Sequence, residues 1–485
     1  MNPDPGLERG AVVRLEVTGA AFEGKAVARL EGFVVFVEGA VPGDIVNARI
    51  VRKKKQFAEA RVVEVLQHSP HRVSPRCKHF GVCGGCKWQH VDYTSQLQWK
   101  QQHVLESFQH IGGFDQPEIL PIIGADEIYF YRNKMEFSFS DLQWLPDGPA
   151  ADPQSEIHNP HSAIRIPQSE IFLGLHVPQR YDKVLDLEEC FLQSEVSTKI
   201  LHFTREFARR ENLPVYSSKT DSGYLRFLVI RQSRRTDELM VNFVTFEDRP
   251  ELVREYAAEL SSAIPGITTV VNTINSRKAQ IAYGEKENVV TGKGVIHEML
   301  GNRQFSISAG SFFQTNTRQA ERLYEVARTF AGFRKGDTVF DLYSGTGTIA
   351  LFVADAVSHV VGIESVESAV RDAERNARLN GVENCSFVMG DLKEKLTRES
   401  EWMKSYPRPD VLIIDPPRSG MHPDVVDAIV KLGVPRIVYV SCNPATQARD
   451  AKMLCSSRYT LRKLQPVDMF PHTYHIENVA LFEVG

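Results

Sequence analysis

Asp341-Leu342-Tyr343-Ser344-Gly345-Thr346-Gly347-Thr348 decides the reading of this chain. It closes the apolar run Thr338 to Leu342 and opens a helix-like segment, a setting in which glycines let the backbone approach a cofactor. The next apolar run, Val360 to Glu364, ends on a carboxylate that can hold both hydroxyls of a ribose. Further strand runs at Cys385 to Met389, Val411 to Asp415 and Ile437 to Ser441, most of them separated by helical segments, predict a parallel sheet with helices on both faces. Leu461 to Val467 and Asn478 to Val484 flank a short loop, so the chain should end in an antiparallel hairpin. Gly345-x-Gly347-x-x-Ala350 also fits the permissive dinucleotide fingerprint of a dehydrogenase. Asp341 at the strand end and the final hairpin favour S-adenosylmethionine over a nicotinamide.

Three further motifs fall at the ends of this sheet. Asp415-Pro416-Pro417-Arg418 stiffens a turn and fixes a carboxylate where ligands of open parallel sheets bind, a position suited to the Watson-Crick edge of a base. Ser441-Cys442-Asn443-Pro444 puts a thiol at a strand end and a helix start, where the helix dipole should lower its pKa and favour the thiolate. Phe470-Pro471-His472-Thr473-Tyr474-His475-Ile476-Glu477 lies in the loop of the hairpin, from which Glu477 could reach the same mouth as Cys442 and, raised in pKa by partial burial, act as a general base.

Working back toward the start, Ala11 to Val65 reads as five short strands punctuated by glycines, a small antiparallel barrel of the kind that presents one face to an oligonucleotide. Its Lys53-Lys54-Lys55 run belongs at a hairpin rim. Residues 95 to 111 form an amphipathic helix with Leu97, Lys100, Val104 and Phe108 on one face. From Pro121 to Gly301 β-rich and helical stretches alternate in a mixed α+β region, interrupted by a proline-rich segment between Pro146 and Pro167.

The 485 residues are too many for one ordinary core and predict three domains. A net charge of -4 argues against a nucleic-acid partner, yet it hides a segregation. Between Asn47 and His103 eleven Lys or Arg face three acidic residues, a local excess of +8. No apolar stretch is long enough for a membrane span, and the start has no leader-like pattern, so a cytoplasmic protein is expected. Seven cysteines, an odd number, point to reduced thiols. Cys77, Cys83 and Cys86 cluster among glycines, and with Cys190 they make four ligands for an iron-sulfur cluster, with zinc as the alternative metal. Cys385 and Cys455 have no motif and read as core.

Taken in order, these motifs, together with Phe312-Phe313-Gln314-Thr315-Asn316 and Asp468-Met469-Phe470-Pro471-His472-Thr473, resemble the RNA uracil-5-methyltransferase family over nearly the whole chain. In particular they resemble the iron-sulfur type that methylates 23S ribosomal RNA. The resemblance implies a Rossmann-like class I methyltransferase domain of 93–120 and 301–485, a TRAM-like, OB-like barrel of 1–68 that binds RNA, and a central iron-sulfur domain of 69–92 and 121–300. It further implies that Gln314, Tyr343, Thr348, Glu364, Asp391 and Asp415 line the S-adenosylmethionine site, with Cys442 as nucleophile, Glu477 as base and a [4Fe-4S] cluster on Cys77, Cys83, Cys86 and Cys190. Ser344 stands where many members have cysteine, and Asp391 where some have asparagine. C5 of uracil is a poor nucleophile, so thiolate addition at C6 is the step that activates it. Asp415 would hydrogen-bond the flipped uracil. The expected protein is a monomer acting on RNA. A transfer-RNA T-loop uridine is the alternative target, while a non-catalytic RNA-binding factor and an amino-group methyltransferase are the alternative functions.

Overall fold

The computed structural model describes residues 6–142, 170–177, 180–396 and 401–485; the prolines between Pro146 and Pro167 lie outside them. Five strands open the chain: β1 (Val12–Ala20), β2 (Ala26–Leu30), β3 (Phe33–Glu38), β4 (Ile45–Lys53) and β5 (Phe57–Gln67). They close into a barrel in the order β1-β2-β3-β5-β4, with β3 and β5 parallel. Two-residue periodicity fills it: Phe33, Val35 and Val37 point inward and their neighbours outward. Lys53-Lys54-Lys55 tops the β4–β5 hairpin, as its composition predicted.

A cysteine-bearing loop leads to α1 (Tyr93–Glu106), capped by Asp92 through the amide of Ser95 at 2.9 Å and prolonged by a π-helical turn over Ser107–Gly112. The helix therefore covers the predicted span and starts two residues earlier.

The central sheet comprises β6 (Lys134–Ser140), β7 (Phe172–Val177), β8 (Arg180–Asp186), β9 (Leu225–Gln232), β10 (Leu239–Thr245), β11 (Thr269–Ile274) and β12 (Lys286–Thr291), in the order β12-β11-β10-β9-β6-β7-β8. Helices α2 (Glu195–Arg210) and α3 (Pro250–Ala263) bury Ile200, Leu201, Phe207, Tyr256 and Leu260 against it. A hairpin of β13 (Val295–Leu300) and β14 (Arg303–Ser308) then joins a core shared with α4 (Thr317–Ala331).

The last sheet runs β17-β16-β15-β18-β19-β21-β20. Its parallel strands are β15 (Thr338–Leu342), β16 (His359–Glu364), β17 (Cys385–Met389), β18 (Val411–Ile414) and β19 (Arg436–Ser441), with α5 (Thr348–Val353), α6 (Glu367–Leu379), α7 (Leu392–Lys395), α8 (Glu401–Lys404), α9 (Pro423–Leu432) and α10 (Pro444–Cys455) between them. The hairpin predicted at the end is present: β20 (Tyr459–Val467) and β21 (Glu477–Val484) pair, and β21 lies antiparallel to β19. β15 is buried along its whole length, as a parallel strand covered on both faces must be. Val104 and Phe108 of the first helix pack on this sheet's second core. Strand order reverses between β15 and β18, so the loops leaving them part and open a crevice at their carboxyl ends.

Cys385 and Cys455 are partly buried against the two cores, as read from the sequence. Among the described residues no helix is long and apolar enough to cross a membrane.

Candidate active site

Asp341, fully buried at the end of β15, accepts the amide of Ala350 at 3.1 Å and so ties the glycine loop to α5. Its other oxygen, and the hydroxyl of Ser344, are buried with no hydrogen-bond partner. Tyr343 sits in the left-handed region at φ 65°, a strained conformation for a side chain of that size. Gly347, at φ 76°, needs to be glycine twice over, because a Cβ there would lie 2.9 Å from the Phe387 ring and 3.0 Å from Ala373.

Gly345 donates its amide to Glu364 Oε2 at 3.0 Å, while Glu364 Oε1 accepts from the amides of Ser365 at 2.7 Å and Val366 at 2.8 Å. The anchored carboxylate borders an open cavity of about 250 Å³, lined also by Tyr343, Asp391, Lys393 and His422. Asp391 caps α7 by accepting the Lys393 amide at 2.8 Å. Bare backbone at Gly390 and a fixed carboxylate together suit a nucleoside with a ribose, as S-adenosylmethionine is.

Gln314, Thr348 and Asp415 do not line that cavity. Gln314 lies in the loop after β14, where its carbonyl accepts from Asn133 Nδ2 at 2.8 Å. Thr346 Oγ1 reaches the Phe312 carbonyl of the same loop at 3.2 Å, and Asn316 Nδ2 reaches the Met469 carbonyl at 3.0 Å. Thr348 Oγ1 meets the Tyr324 hydroxyl at 3.2 Å. The loop thus joins the glycine loop to the chain segment before Glu477.

Ser441 is paired with Asn478 in the β19–β21 ladder, so the next residue out on each strand, Cys442 and Glu477, face each other across it. Glu477 is buried, and that burial, then the neighbouring Asp415, raise its pKa well above the usual carboxylate value. Burial pushes Asp415 up to about 7. The sequence-based expectation of a depressed Cys442 pKa is not met. Burial and the charge of Glu477 push the thiol up to about 11, outweighing the Arg418 guanidinium that pulls it down. Arg418, part of the Asp-Pro-Pro-Arg turn, donates to His475 Nδ1 at 2.9 Å, and its carbonyl accepts from Asn443 Nδ2 at 3.1 Å.

The segment Asp468–Ile476 is clamped from every side. Gln319 Nε2 donates to the Asp468 carbonyl at 2.8 Å, Tyr131 to the Pro471 carbonyl at 3.1 Å, and the amides of Lys87 and Trp88 to the His472 carbonyl at 2.8 and 3.0 Å. From α1, Gln96 Oε1 accepts the His472 amide at 2.8 Å, and Lys100 Nζ donates to Asp468 Oδ1 at 2.7 Å and to the Phe470 carbonyl at 3.0 Å. Lys100, one of the eleven basic residues between Asn47 and His103, is wholly buried, its pKa lowered by burial against the pull of Asp468. Arg72 is likewise committed to the buried Asp44. The signal for Lys100 was present in its position on the apolar face of α1.

Cys77, Cys83, Cys86 and Cys190 line one cavity, so the distant fourth cysteine does join the three-residue cluster. Gln89 Nε2 donates to Cys86 Sγ at 3.2 Å and the Gly85 amide to Cys83 Sγ at 3.4 Å. Burial pushes Cys83 and Cys86 up to about 12, and the other thiols of the set add to it. Among the described residues no group of three or more His, Cys, Asp or Glu is set to hold a metal ion.

Residues 227–484 match the family model for tRNA (uracil-5-)-methyltransferase, more than half of the chain. The chain belongs to that family. Residues 6–63 match the TRAM domain, the five-stranded barrel described above. A protein from Chlorobaculum tepidum named as an uncharacterized RNA methyltransferase is 45% identical over 98% of this chain and 97% of its own. One of the same description from Porphyromonas gingivalis is 43% identical over 96% and 99%. Among solved structures, the Pyrococcus abyssi tRNA (uracil-54, C5)-methyltransferase in complex with S-adenosyl-L-homocysteine superposes with a TM-score of 0.72 at 28% identity, covering 97% of this chain and 99% of that one. The present protein is an S-adenosylmethionine-dependent RNA (uracil-5-)-methyltransferase.

Proposed function

We propose that this methyltransferase modifies C5 of a uridine through a covalent adduct on Cys442, with Glu477 as the base. The observation that carries the reading is the facing of Cys442 and Glu477 across the β19–β21 ladder, with Asp415 electrostatically coupled to both. Cys442 Sγ, once deprotonated, adds to C6 and places an electron pair on C5. S-adenosylmethionine supplies the electrophilic methyl group. Glu477 then takes the proton from C5, and the thiolate leaves C6 to restore the double bond. Asp415, with a pKa near neutrality, can offer both an acceptor to N3–H and, when protonated, a donor to O4 of uracil.

For the target, the reading favours 23S ribosomal RNA. The TRAM barrel and the four gathered cysteines support it, because both accompany the ribosomal members in the family resemblance. Full-length likeness to a transfer-RNA enzyme favours a second reading, a T-loop uridine. Mapping 5-methyluridine separately in ribosomal and transfer RNA from a deletion strain decides between them: loss from neither would sink both.

The cysteine set is proposed to hold a [4Fe-4S] cluster. Four cysteines line one cavity, and N–H donors face two of their sulfurs, a donor set of the kind a cluster takes. Anaerobically purified protein should carry iron and acid-labile sulfide; zinc without iron would refute this.

A further inference from the structure

A second open cavity, of about 250 Å³, adjoins the cysteine cavity. Arg132, Lys134 and Glu136 of the segment entering and forming β6 make its polar wall, Leu175 and Leu192 its apolar floor, and Thr315 its edge. Thr315 belongs to the loop that carries Gln314. Arg132 Nε and Thr315 Oγ1 are both buried with no hydrogen-bond partner, so two polar atoms at this cavity await one.

The cavity adjoins the catalytic mouth by a continuous chain of contacts. The Arg132 guanidinium lies over the Phe470 ring at 5.6 Å, Phe470 meets the His475 ring at 6.2 Å, and His475 accepts from Arg418. Leu175 and Leu192 also line the cysteine cavity, so the floor is shared with that site and fixed by it.

We propose that this cavity holds a second nucleotide of the RNA, one that flanks the target uridine, and so sets sequence preference. The inference rests on the uridine-methylation reading above. An aliphatic floor suits the face of a base, Arg132 suits a phosphate, and the Lys134–Glu136 ion pair with Thr315 suits polar groups on a base edge. A single-stranded segment splayed around a flipped uridine presents such a neighbour within reach.

The test uses the full-length protein and oligoribonucleotides spanning the mapped uridine, each with one flanking base removed to leave an abasic site. With the wild-type protein, removal at one position should raise KM roughly tenfold, the loss of one base contact. Glu136→Trp, which fills the cavity from its exposed rim, should raise KM on the intact RNA similarly, and removal of that same base should then cost nothing more. Thr315→Val, which removes a base-edge contact, provides a second variant with the same non-additivity and less bulk. If base removal and either variant act independently at every flanking position, the proposal is overturned. Adduct formation with 5-fluorouridine RNA is the separating control: its presence in Glu136→Trp at saturating RNA keeps the chemistry intact, whereas its absence in the wild type condemns the underlying reading.

Discussion

Lys100 Nζ and Asp468 Oδ1 lie 2.7 Å apart with neither side chain exposed, joining the first helix to the segment that delivers Glu477. Tyr93 donates to the other oxygen of Asp468 at 2.8 Å, so that carboxylate is satisfied on both sides. Removing the ammonium strands a buried charge, which costs about 3–5 kcal/mol, more than the pair itself contributes. Lys100→Met should therefore lower the urea midpoint sharply and slow methyl transfer. Adding Asp468→Asn should recover part of the stability, and a double variant no better than the single would contradict this account.

Opposite failures are expected at the two facing residues. Cys442→Ala should form no adduct with 5-fluorouridine RNA and no product. Glu477→Gln should still add to uridine and still methylate it, but should release the product slowly, because thiolate departure waits for the C5 proton. General-base loss predicts a turnover deficit of roughly 10²–10⁴. A slower-migrating protein–RNA species on a denaturing gel with ordinary uridine RNA is the readout for Glu477→Gln.

Much of this site was legible before the fold was seen, because the carboxyl end of a parallel strand is a recognisable place in sequence. Asp341, Asp415 and Cys442 each end an apolar run, and the fold gathers them for that reason. Glu477 was legible as a nearby carboxylate but not as the first residue of β21, fully enclosed. What could not be read was the balance of burial against dipole at Cys442, since burial depends on the folded surroundings and the charges acting on the thiol come from the Asp415–Arg418 turn and from Glu477. A count of charges along the chain does not separate Lys100 from exposed cations, whereas its place among Leu97, Val104 and Phe108 marks it as facing inward. β8 and β12 escaped notice because short edge strands carry weak periodicity, and β7 and the β13–β14 hairpin went unread with them.

The resting thiol should alkylate slowly. With the pKa of Cys442 near 11, the thiolate fraction rises tenfold for each pH unit up to that value, and so should the rate with iodoacetamide. Glu477→Gln removes the negative neighbour and should speed alkylation at pH 8; Arg418→Ala removes the positive one and should slow it. Mass spectrometry of the Cys442 peptide after timed labelling reads both signs, and an unchanged rate in either variant counts against the electrostatic assignment.

Asp415 should make the fold less stable as pH rises. At pH below the ordinary value of 3.8 the carboxyl is protonated folded and unfolded; between there and about 7 the unfolded chain loses the proton while the native site keeps it. The native advantage present at low pH is therefore lost across that window, by up to about 4 kcal/mol. Asp415→Asn should gain stability at pH 8 and little at pH 3.5, measured by denaturant unfolding at both.

The cysteine loop and the catalytic segment share hydrogen bonds, which would tie the integrity of the proposed cluster to the site. Lys87 and Trp88 follow Cys86 directly, and both donate their amides to the His472 carbonyl, with His472 itself held in the left-handed region at φ 64°. A segment in that conformation keeps it only while its surroundings impose it. Cys83→Ser, by weakening the ligand set, should release the loop and with it those two donors. Hydrogen exchange at the Lys87 and Trp88 amides should then rise well above wild type, iron content should fall, and methyl transfer should slow although Cys442 and Glu477 are intact. If iron is lost while protection at Lys87 and Trp88 stays at the wild-type level, the two sites are not coupled through His472.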